Sequence, residues 1–273
     1  MKMKKKKIDF KAQDKATNTI KNVGYALLEE ETEEQNAKLY FYGDIVSESW
    51  YSDWDNDARC PQEIADFLNE IDSNKDIDIY FNSCGGDATA GIAIANILLR
   101  HNGKKIAHVD ALAASTASFI LCACDDIEIG IGAQVMIHDP WCYAAGNAQD
   151  FQRYIEQLNQ CKENIIDFYM RHAADGVTRE DFSSMMTEEK WIGTSDIENI
   201  FDFKVNENSI APAAATSGLL DRYKHVPNTL KNRKKDDTDV KEIVDRVVSE
   251  LEAKEQKKLQ AREREKQKLL ASL

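Results

Sequence analysis

From residue 39 onward, short runs rich in β-forming residues alternate with helical runs for about 170 residues, and this alternation limits the possible folds most strongly. The first half of the pattern predicts strands at Leu39 to Ile45 and Ile77 to Asn82. It predicts helices at Pro61 to Ile71 and Ala88 to Arg100. Because strands joined by helical crossovers pair in parallel, this order predicts an α/β domain with a mainly parallel sheet covered by helices.

The second half of the pattern continues the same alternation. A strand is predicted at Lys105 to Asp110, followed by a short apolar helix from about Ser115 to Cys124. Two more strands are predicted around Ile127 to Ile131 and Val135 to His138, and a long helix at Ala148 to His172. A chain of 273 residues is long enough for one such domain with a sizeable core and with extensions.

The two ends of the chain differ from this middle part. Residues 1–38 are polar and charged, which predicts an N-terminal arm with little that could form a core. Residues 39–210 are the predicted domain, and residues 211–273 are predicted to be a linker and a charged helical tail. The helix expected at Val240 to Leu270 consists mostly of charged and polar residues, which is typical of a solvated or weakly coiled helix.

Charge and apolar runs exclude several kinds of protein. The net charge of −13 and the isoelectric point near 4.9 argue against a general nucleic-acid binder, because such proteins need a basic face. No run approaches the roughly 18 apolar residues of a membrane span, and the lysine-rich start lacks the apolar region of a signal peptide. We therefore expect a soluble, cytoplasmic protein with neither nucleic acid nor membrane as a partner.

The cysteines favour no special chemistry. There are six, and in a chain without an export signal they are expected to be reduced thiols that behave as small buried apolar side chains. Cys122 and Cys124 are separated by one residue, which is not the spacing of a zinc or redox pair. We therefore expect no metal and no other cofactor.

Three segments contain residues that could carry chemistry, and the first is Asn82 to Asp87. Its paired glycines, Gly85 and Gly86, lie where a strand gives way to a helix. Glycines there allow the backbone to approach a ligand and to turn its amides outward, which is one way to bind an oxyanion. The same pair also occurs in tight turns without a function.

The second and third segments supply a nucleophile and a base. Ser115, in the run Asp110 to Ser118, opens a helix directly after a strand, although serine is also a favoured helix N-cap. His138, in Met136 to Pro140, ends an apolar strand, where an imidazole that titrates near neutrality can be held rigidly. A lone histidine at a strand end is otherwise a structural residue.

In this order and spacing, the three segments resemble the ClpP family of self-compartmentalising serine peptidases. The family pattern of Asn-Ser-Pro-Gly-Gly, Ala-Ala-Ser and Met-Ile-His-x-Pro is met by Asn82 to Gly86, Ala113 to Ser115 and Met136 to Pro140. The likeness extends over about residues 39 to 206. It implies a spiral of strand-strand-helix units, with Ala148 to His172 as the protruding handle helix that packs rings face to face.

The resemblance also implies a role for each candidate site residue. Ser115 would attack the peptide carbonyl, and His138 would take and return the proton. The amides of Gly86 and Thr116 would hold the oxyanion. Ser118 is a second serine one turn further on, but the Ala-Ala-Ser register favours Ser115.

The resemblance also implies a third catalytic residue, an acid that orients the imidazole, but it defines this residue less sharply. Glu189 falls where the family has an aspartate, and the neighbouring Glu188 stays open as the alternative. The arrangement of Glu189 and Trp191 resembles the ClpP-like proteases of tailed-phage heads more closely. Two other departures are Cys84 in place of a proline and Ala111 in place of a glycine, and neither removes the nucleophile chemistry.

The sequence therefore predicts a serine endopeptidase of a phage or prophage that cleaves capsid or scaffold proteins during head maturation, in the host cytoplasm or the virion precursor. A second hypothesis is a cytoplasmic proteolytic subunit that works with an ATP-dependent (AAA+) unfoldase, since nothing in the chain resembles a nucleotide-binding loop. A third hypothesis is an inactive scaffolding homologue, and a fourth is an acyl-CoA enzyme of the crotonase group. The resemblance implies homo-oligomeric rings of six or seven subunits, which could stack in pairs.

Overall fold

The computed structural model describes five stretches of the chain: residues 5–14, 19–29, 36–47, 60–210 and 219–231. All of them lie within one compact unit, Met1–Arg233. The charged helix expected at Val240 to Leu270 and the start of the expected linker, residues 211–218, lie outside the described residues. The domain boundaries at residues 38 and 210 stay predictions.

Two antiparallel strands precede the main sheet. They are β1 (Lys5–Asp14) and β2 (Thr19–Glu29), with an irregularity in the register after Phe10. Both fall in the part for which the sequence predicted a charged arm, and neither strand was expected. Their mixture of lysines with isolated apolar residues lacks the clean alternation by which a half-buried strand is recognised.

Within the described residues, seven strands form the main sheet. Five of them lie in the order β3-β4-β5-β6-β9 and every neighbouring pair is parallel, while β7 pairs in parallel with β5 and antiparallel with β8. The prediction of an α/β fold with a mainly parallel sheet is therefore confirmed. The strands are β3 (Ala37–Tyr42), β4 (Ile77–Ser83), β5 (Lys105–Ala114), β6 (Asp126–Ile131), β7 (Gln134–Ile137), β8 (Lys190–Gly193) and β9 (Lys204–Ile210).

The helices follow the predicted order, with one addition, α5, inside the domain. The long helix α4 ends at Tyr169, and a 3₁₀ turn, Met170–His172, completes the segment predicted as one helix. No helix of the described part is long and apolar enough to cross a membrane. The α-helices are α1 (Cys60–Glu70), α2 (Ala88–Leu99), α3 (Thr116–Leu121), α4 (Ala148–Tyr169), α5 (Arg179–Glu188) and α6 (Asn228–Lys231).

The core lies between one face of the sheet and the helices. Alternate residues of β3 and β4, among them Leu39 and Ile79, are fully buried, as the period of two along a strand requires. On α2, Ile94 and Leu98 are buried one turn apart and belong to the same apolar cluster. This packing fixes the carboxyl ends of the strands, where the candidate site residues lie.

The close packing of α2 against α3 depends on Gly91. A Cβ at this position would lie 2.2 Å from Thr116 Cγ2 and 2.8 Å from the ring of Phe119. These distances are shorter than real contacts, so any larger residue would push the two helices apart. The glycine therefore helps to place the first turn of α3, which follows the candidate nucleophile.

The boundaries around Ser115 differ from the predicted ones. The strand β5 continues past Asp110 as far as Ala114, and α3 begins only at Thr116 and ends at Leu121. The reason is the partner strand, because the added residues of β5 pair with β7, with Ala114 opposite Met136. A strand partner that lies more than twenty residues away is not visible in a local pattern.

The cysteine prediction is only partly right. Cys84, Cys122 and Cys124 are buried, whereas Cys161 is half-buried and Cys142 is exposed. Burial raises the pKa of the Cys122 and Cys124 thiols, so both stay protonated and unreactive. Cys142 lies in the irregular segment before α4, where no strand or helix packs it into the core.

Candidate active site

Ser115 is the single residue between strand β5 and helix α3. Its backbone has φ of 53° and ψ of −120°, a combination that residues with a side chain rarely adopt. The Ser115 amide donates a hydrogen bond to Met136 O at 2.8 Å, which fastens this strained turn to strand β7. The sharp turn presents the side chain at the end of the sheet instead of burying it in the helix.

His138 follows β7 directly and meets the serine. Because Ala114 lies opposite Met136, the residues just beyond the two parallel strands come out on the same edge of the sheet. Ser115 Oγ lies 2.7 Å from His138 Nε2, which is hydrogen-bonding distance. With the imidazole proton on Nδ1, the serine hydroxyl donates to Nε2, as a general base requires.

The electrostatics around His138 favour the neutral imidazole. Burial is the largest influence, and it lowers the pKa of His138 because the charged form loses hydration. The nearby Lys224 charge lowers this pKa further, while the carboxylates of Glu189 and Asp139 oppose the shift without reversing it. The imidazole is therefore available as a base below the pH at which an ordinary histidine is protonated.

The glycine pair packs directly against the Ser115 turn. Gly85 and Gly86 have φ of 90° and 153°, values that favour glycine. A Cβ on Gly85 would lie 2.7 Å from Ser115 Cβ, and one on Gly86 would lie 1.8 Å from Ile45 O. The second clash involves backbone that is itself bonded to this loop, because Ile45 N donates to Gly85 O at 2.7 Å. Both positions therefore require glycine.

Two amides near Ser115 donate to no acceptor among the described hydrogen bonds. Among the hydrogen bonds of the described residues, none uses the N–H of Gly86 as its donor. Thr116 is the first residue of α3, so its N–H has no acceptor inside that helix. The Thr116 hydroxyl donates to Gly86 O at 3.0 Å, which holds the two amide-bearing segments at a fixed separation.

Glu189 is close to His138, but its carboxylate is engaged elsewhere. The residue ends α5 in the left-handed conformation, with φ of 55° and ψ of 75°, and is 7% exposed. Its Oε2 accepts from the Lys224 amide at 2.7 Å, and its Oε1 accepts from the His225 amide at 2.6 Å and from Trp191 Nε1 at 3.3 Å. No hydrogen bond joins Glu189 to His138 among the described residues.

Glu188, the alternative acid, lies differently. Its side chain is exposed to solvent, and only its backbone carbonyl reaches the site, 3.0 Å from His225 Nδ1. A solvated carboxylate has less influence on a partly buried imidazole than a buried one. The geometry thus favours Glu189 over Glu188 as the carboxylate that acts on His138.

Part of the site lies in residues 219–231, which we call the C-terminal strap and which the sequence motifs do not predict. Its Tyr223 hydroxyl donates to Cys84 O at 2.6 Å and also interacts with the Ser115 side chain. The Tyr223 ring meets the ring of His138 edge-on, with the centroids 5.2 Å apart. The sequence carries only a weak signal of it, which is the apolar residues of the strap, among them Leu219, Leu220 and Tyr223, in a tail that is mostly charged and polar.

A match to a known protein family shows which family the chain belongs to. Residues 55–199 match the family model described as Clp protease, which is more than half of the chain. The chain belongs to the Clp protease family. The matched range contains both glycines, Ser115, His138 and Glu189, whereas the C-terminal strap lies beyond it.

Curated relatives agree with membership of the Clp protease family. The chain is 32% identical over 145 residues to the ATP-dependent Clp protease proteolytic subunit of Borreliella afzelii, an alignment that covers 52% of this chain and 73% of the relative. It is 32% identical to proteolytic subunit 1 of Borreliella burgdorferi, covering 52% and 74%. It is 28% identical over 149 residues to proteolytic subunit 1 of Streptomyces coelicolor, covering 54% and 66%.

Ser118, the other serine of this Clp protease family segment, faces away from His138. It is 1% exposed, and its hydroxyl lies 2.6 Å from Ser115 O and 2.7 Å from the Tyr169 hydroxyl. These contacts tie α3 to α4. Ser118 thus acts as a packing residue behind the nucleophile turn, in agreement with the register that favoured Ser115.

Proposed function

We propose that this member of the Clp protease family is a serine endopeptidase in which Ser115 is the nucleophile and His138 the general base. The single observation that carries the proposal is the 2.7 Å approach of Ser115 Oγ to His138 Nε2 at the end of two paired strands. The lowered pKa of His138 supports it, because a neutral imidazole can accept the serine proton at neutral pH.

The reaction would proceed by acyl transfer. Ser115 Oγ attacks the carbonyl carbon of the scissile peptide bond while His138 Nε2 takes the hydroxyl proton. The resulting imidazolium then gives this proton to the leaving amine, which departs and leaves an acyl-enzyme. A water molecule, deprotonated by the same imidazole, attacks the acyl group and releases the second product, so that the serine regains its proton.

Gly86 and Thr116 would stabilise the negative oxygen of the tetrahedral intermediate. Their amides are the donors that the described hydrogen bonds leave available on either side of the nucleophile. The bond from Thr116 Oγ1 to Gly86 O keeps these donors in place before the reaction begins, and such preorganisation is the main source of oxyanion stabilisation.

Glu189 would be the third member of the triad. Its support is burial together with its influence on the pKa of His138, which no other carboxylate exceeds. In this role, Glu189 accepts a hydrogen bond from His138 Nδ1 and stabilises the imidazolium. This step requires the carboxylate to turn from the amides of Lys224 and His225 to the imidazole.

The names of the relatives support a task as a proteolytic subunit. They are called subunits of ATP-dependent Clp proteases, and the family forms homo-oligomeric rings that work with AAA+ ATPases. We therefore favour polypeptide hydrolysis in such a ring, fed by a separate ATP-dependent unfoldase, over head maturation. Cleavage of capsid or scaffold proteins, the ring size and the cytoplasmic location stay predictions.

The proposal can be tested with the full chain. A fluorophosphonate probe should label the wild-type protein at Ser115, and the label should be absent from Ser115→Ala. A second serine in the same protein, Ser118, offers a matched control, because Ser118→Ala should keep the label. Labelling that persists in Ser115→Ala would refute the assignment. Absence of labelling under all conditions would favour an inactive scaffolding homologue.

A further inference from the structure

The C-terminal strap packs across the candidate active site. Its 3₁₀ turn, Leu220–Arg222, leads into Tyr223, and its last residues form α6. The strap is held by an apolar cluster separate from the main core. The buried members of this cluster are Cys84, Ala111, Leu112, Ala114 and Met136, and the residues packed against them are Trp191, Leu219, Leu220, Tyr223 and Leu230.

Tyr223 stands where a substrate has to enter. Its hydroxyl bonds to the carbonyl of Cys84, the residue before the glycine pair, and also contacts the Ser115 side chain. Its ring covers His138 edge-on. Because Tyr223 contacts both Ser115 and His138, a peptide bound at these two residues would compete with it for the same space.

The strap also holds the candidate acid. Consecutive amides, those of Lys224 and His225, each donate to one oxygen of Glu189 at 2.7 and 2.6 Å. Bonds of this kind to a charged, buried carboxylate are among the stronger ones in proteins. While they persist, both carboxylate oxygens point toward the strap, and the hydrogen bond to His138 is not formed.

We propose that the C-terminal strap is an autoinhibitory contact that fills the active site and keeps Glu189 away from His138. The inference rests on the proposed peptidase function. In the closed state, Tyr223 blocks the approach to Ser115, and the Lys224 and His225 amides retain Glu189. In the open state, the strap leaves the groove, a peptide takes its place, and Glu189 exchanges two amide donors for His138 Nδ1.

The two states compete because both satisfy the buried carboxylate. Glu189 is 7% exposed with the strap in place, and release of the strap removes two of its donors, which the open state has to replace. His138 supplies that replacement, and the bond strengthens once the imidazole is protonated during the reaction. Substrate and strap therefore exclude one another, and the apparent activity is reduced by the fraction of molecules that are closed.

The experiment compares the full chain with two variants that release the strap. Leu220→Asp places a charge against the apolar cluster, and Tyr223→Ala removes the ring from the active site. The matched control is Phe151→Ala in α4, which removes an aromatic ring that is 46% exposed and belongs to neither the cluster nor the candidate triad. Two rates are measured for each protein: hydrolysis of a short fluorogenic peptide and fluorophosphonate labelling of Ser115.

If nine of ten molecules are closed, both rates should rise about tenfold in Leu220→Asp and Tyr223→Ala and stay unchanged in Phe151→Ala. A synthetic peptide with the sequence of residues 219–231, added to Leu220→Asp, should then slow hydrolysis again in competition with substrate. In the unmodified chain, a peptide boronate bound to Ser115 should accelerate hydrogen exchange at the Lys224 and His225 amides.

Three outcomes would overturn the inference. Rates that are unchanged or lower in both variants, with thermal melts showing folded protein, would mean that the strap supports the site instead of blocking it. Amides of Lys224 and His225 that keep their protection in the boronate complex would mean that strap and ligand coexist. If Ser115 is labelled in none of the proteins, the peptidase proposal itself fails, and autoinhibition fails with it.

Discussion

Ser115 and His138 are joined by the sheet, whereas Glu189 is joined to the strap. The first two lie at the ends of paired strands inside the matched range 55–199, and their contact follows from the pairing of Ala114 with Met136. Glu189 also lies inside that range, but two of its three donors, the amides of Lys224 and His225, come from a segment beyond it. The proposed nucleophile and base are thus positioned by rigid elements, whereas the proposed acid is held in part by the C-terminal strap.

The largest expected effect is that of removing the Ser115 hydroxyl, which lies in the part of the site that the paired strands position. Ser115→Ala should lower kcat/KM for peptide hydrolysis by on the order of 10⁴-fold or more, because no other described hydroxyl lies at His138 Nε2. The change removes one oxygen from a partly exposed side chain, so the melting temperature should shift by only a few degrees. Initial rates and thermal melts measure both. Residual activity above a hundredth of wild type would exclude the serine as nucleophile.

Gly86→Ala should have the next largest effect. The added methyl would collide with Ile45 O at 1.8 Å, so the loop must move and carry the oxyanion donor with it. Loss of one such donor lowers kcat by about 100- to 1000-fold. The control is Gly193→Ala in β8, where the new Cβ meets no atom within 4 Å. Equal rates for the two variants would show that Gly86 does not bind the oxyanion.

The role of the Glu189 carboxylate, which is held in part by the strap, is tested by Glu189→Gln. The glutamine oxygen still accepts one strap amide, but the charge that would stabilise the His138 imidazolium is lost, so kcat should fall by about 100-fold. The exposed neighbour provides the control, because Glu188→Gln should leave kcat unchanged. The reverse result, with loss of activity only in Glu188→Gln, would assign the acid to Glu188. The difference between a strand-held serine and histidine and a strap-held acid would then no longer hold.

The smallest expected effect concerns pH. Since burial lowers the pKa of His138, the acidic limb of the kcat/KM profile should lie below the ordinary histidine value of about 6.5. The carboxylate of Asp139 raises this pKa, so Asp139→Asn should move the limb further down, by less than about one pH unit. A limb above 6.5 in the wild-type chain, or an upward shift in Asp139→Asn, would contradict this picture of the base.

Family membership, the α/β fold and the proximity of Ser115 to His138 could be predicted because each rests on short segments. A strand end, a small residue and a histidine are local features, and parallel strands bring their carboxyl ends to one edge. The catalytic roles of these residues stay predictions until activity is measured. The family match supports the role of a proteolytic subunit better than the head-maturation role that the sequence analysis placed first.

The contacts of Glu189 and Tyr223 could not be predicted, because they join distant segments with no periodic pattern. Glu189 bonds to amides 35 and 36 positions away, and Tyr223 bonds to a carbonyl 139 positions away. Every residue except proline has a backbone N–H, so the identity of a residue does not show that its amide is a hydrogen-bond donor to a distant side chain. Strand β8 was missed for a related reason, since its four residues are too few to show an alternation.

The turn that joins β6 to β7 acts as a spacer for the whole site. It runs through Gly132, with φ of 81°, and sets which residue of β7 lies opposite Ala114. One residue inserted in this turn would shift the register of β7 by one residue. Its side chains would then point to the opposite face of the sheet, and the imidazole would lie out of reach of Ser115 Oγ. The length of a loop that touches neither side chain therefore decides whether they can exchange a proton.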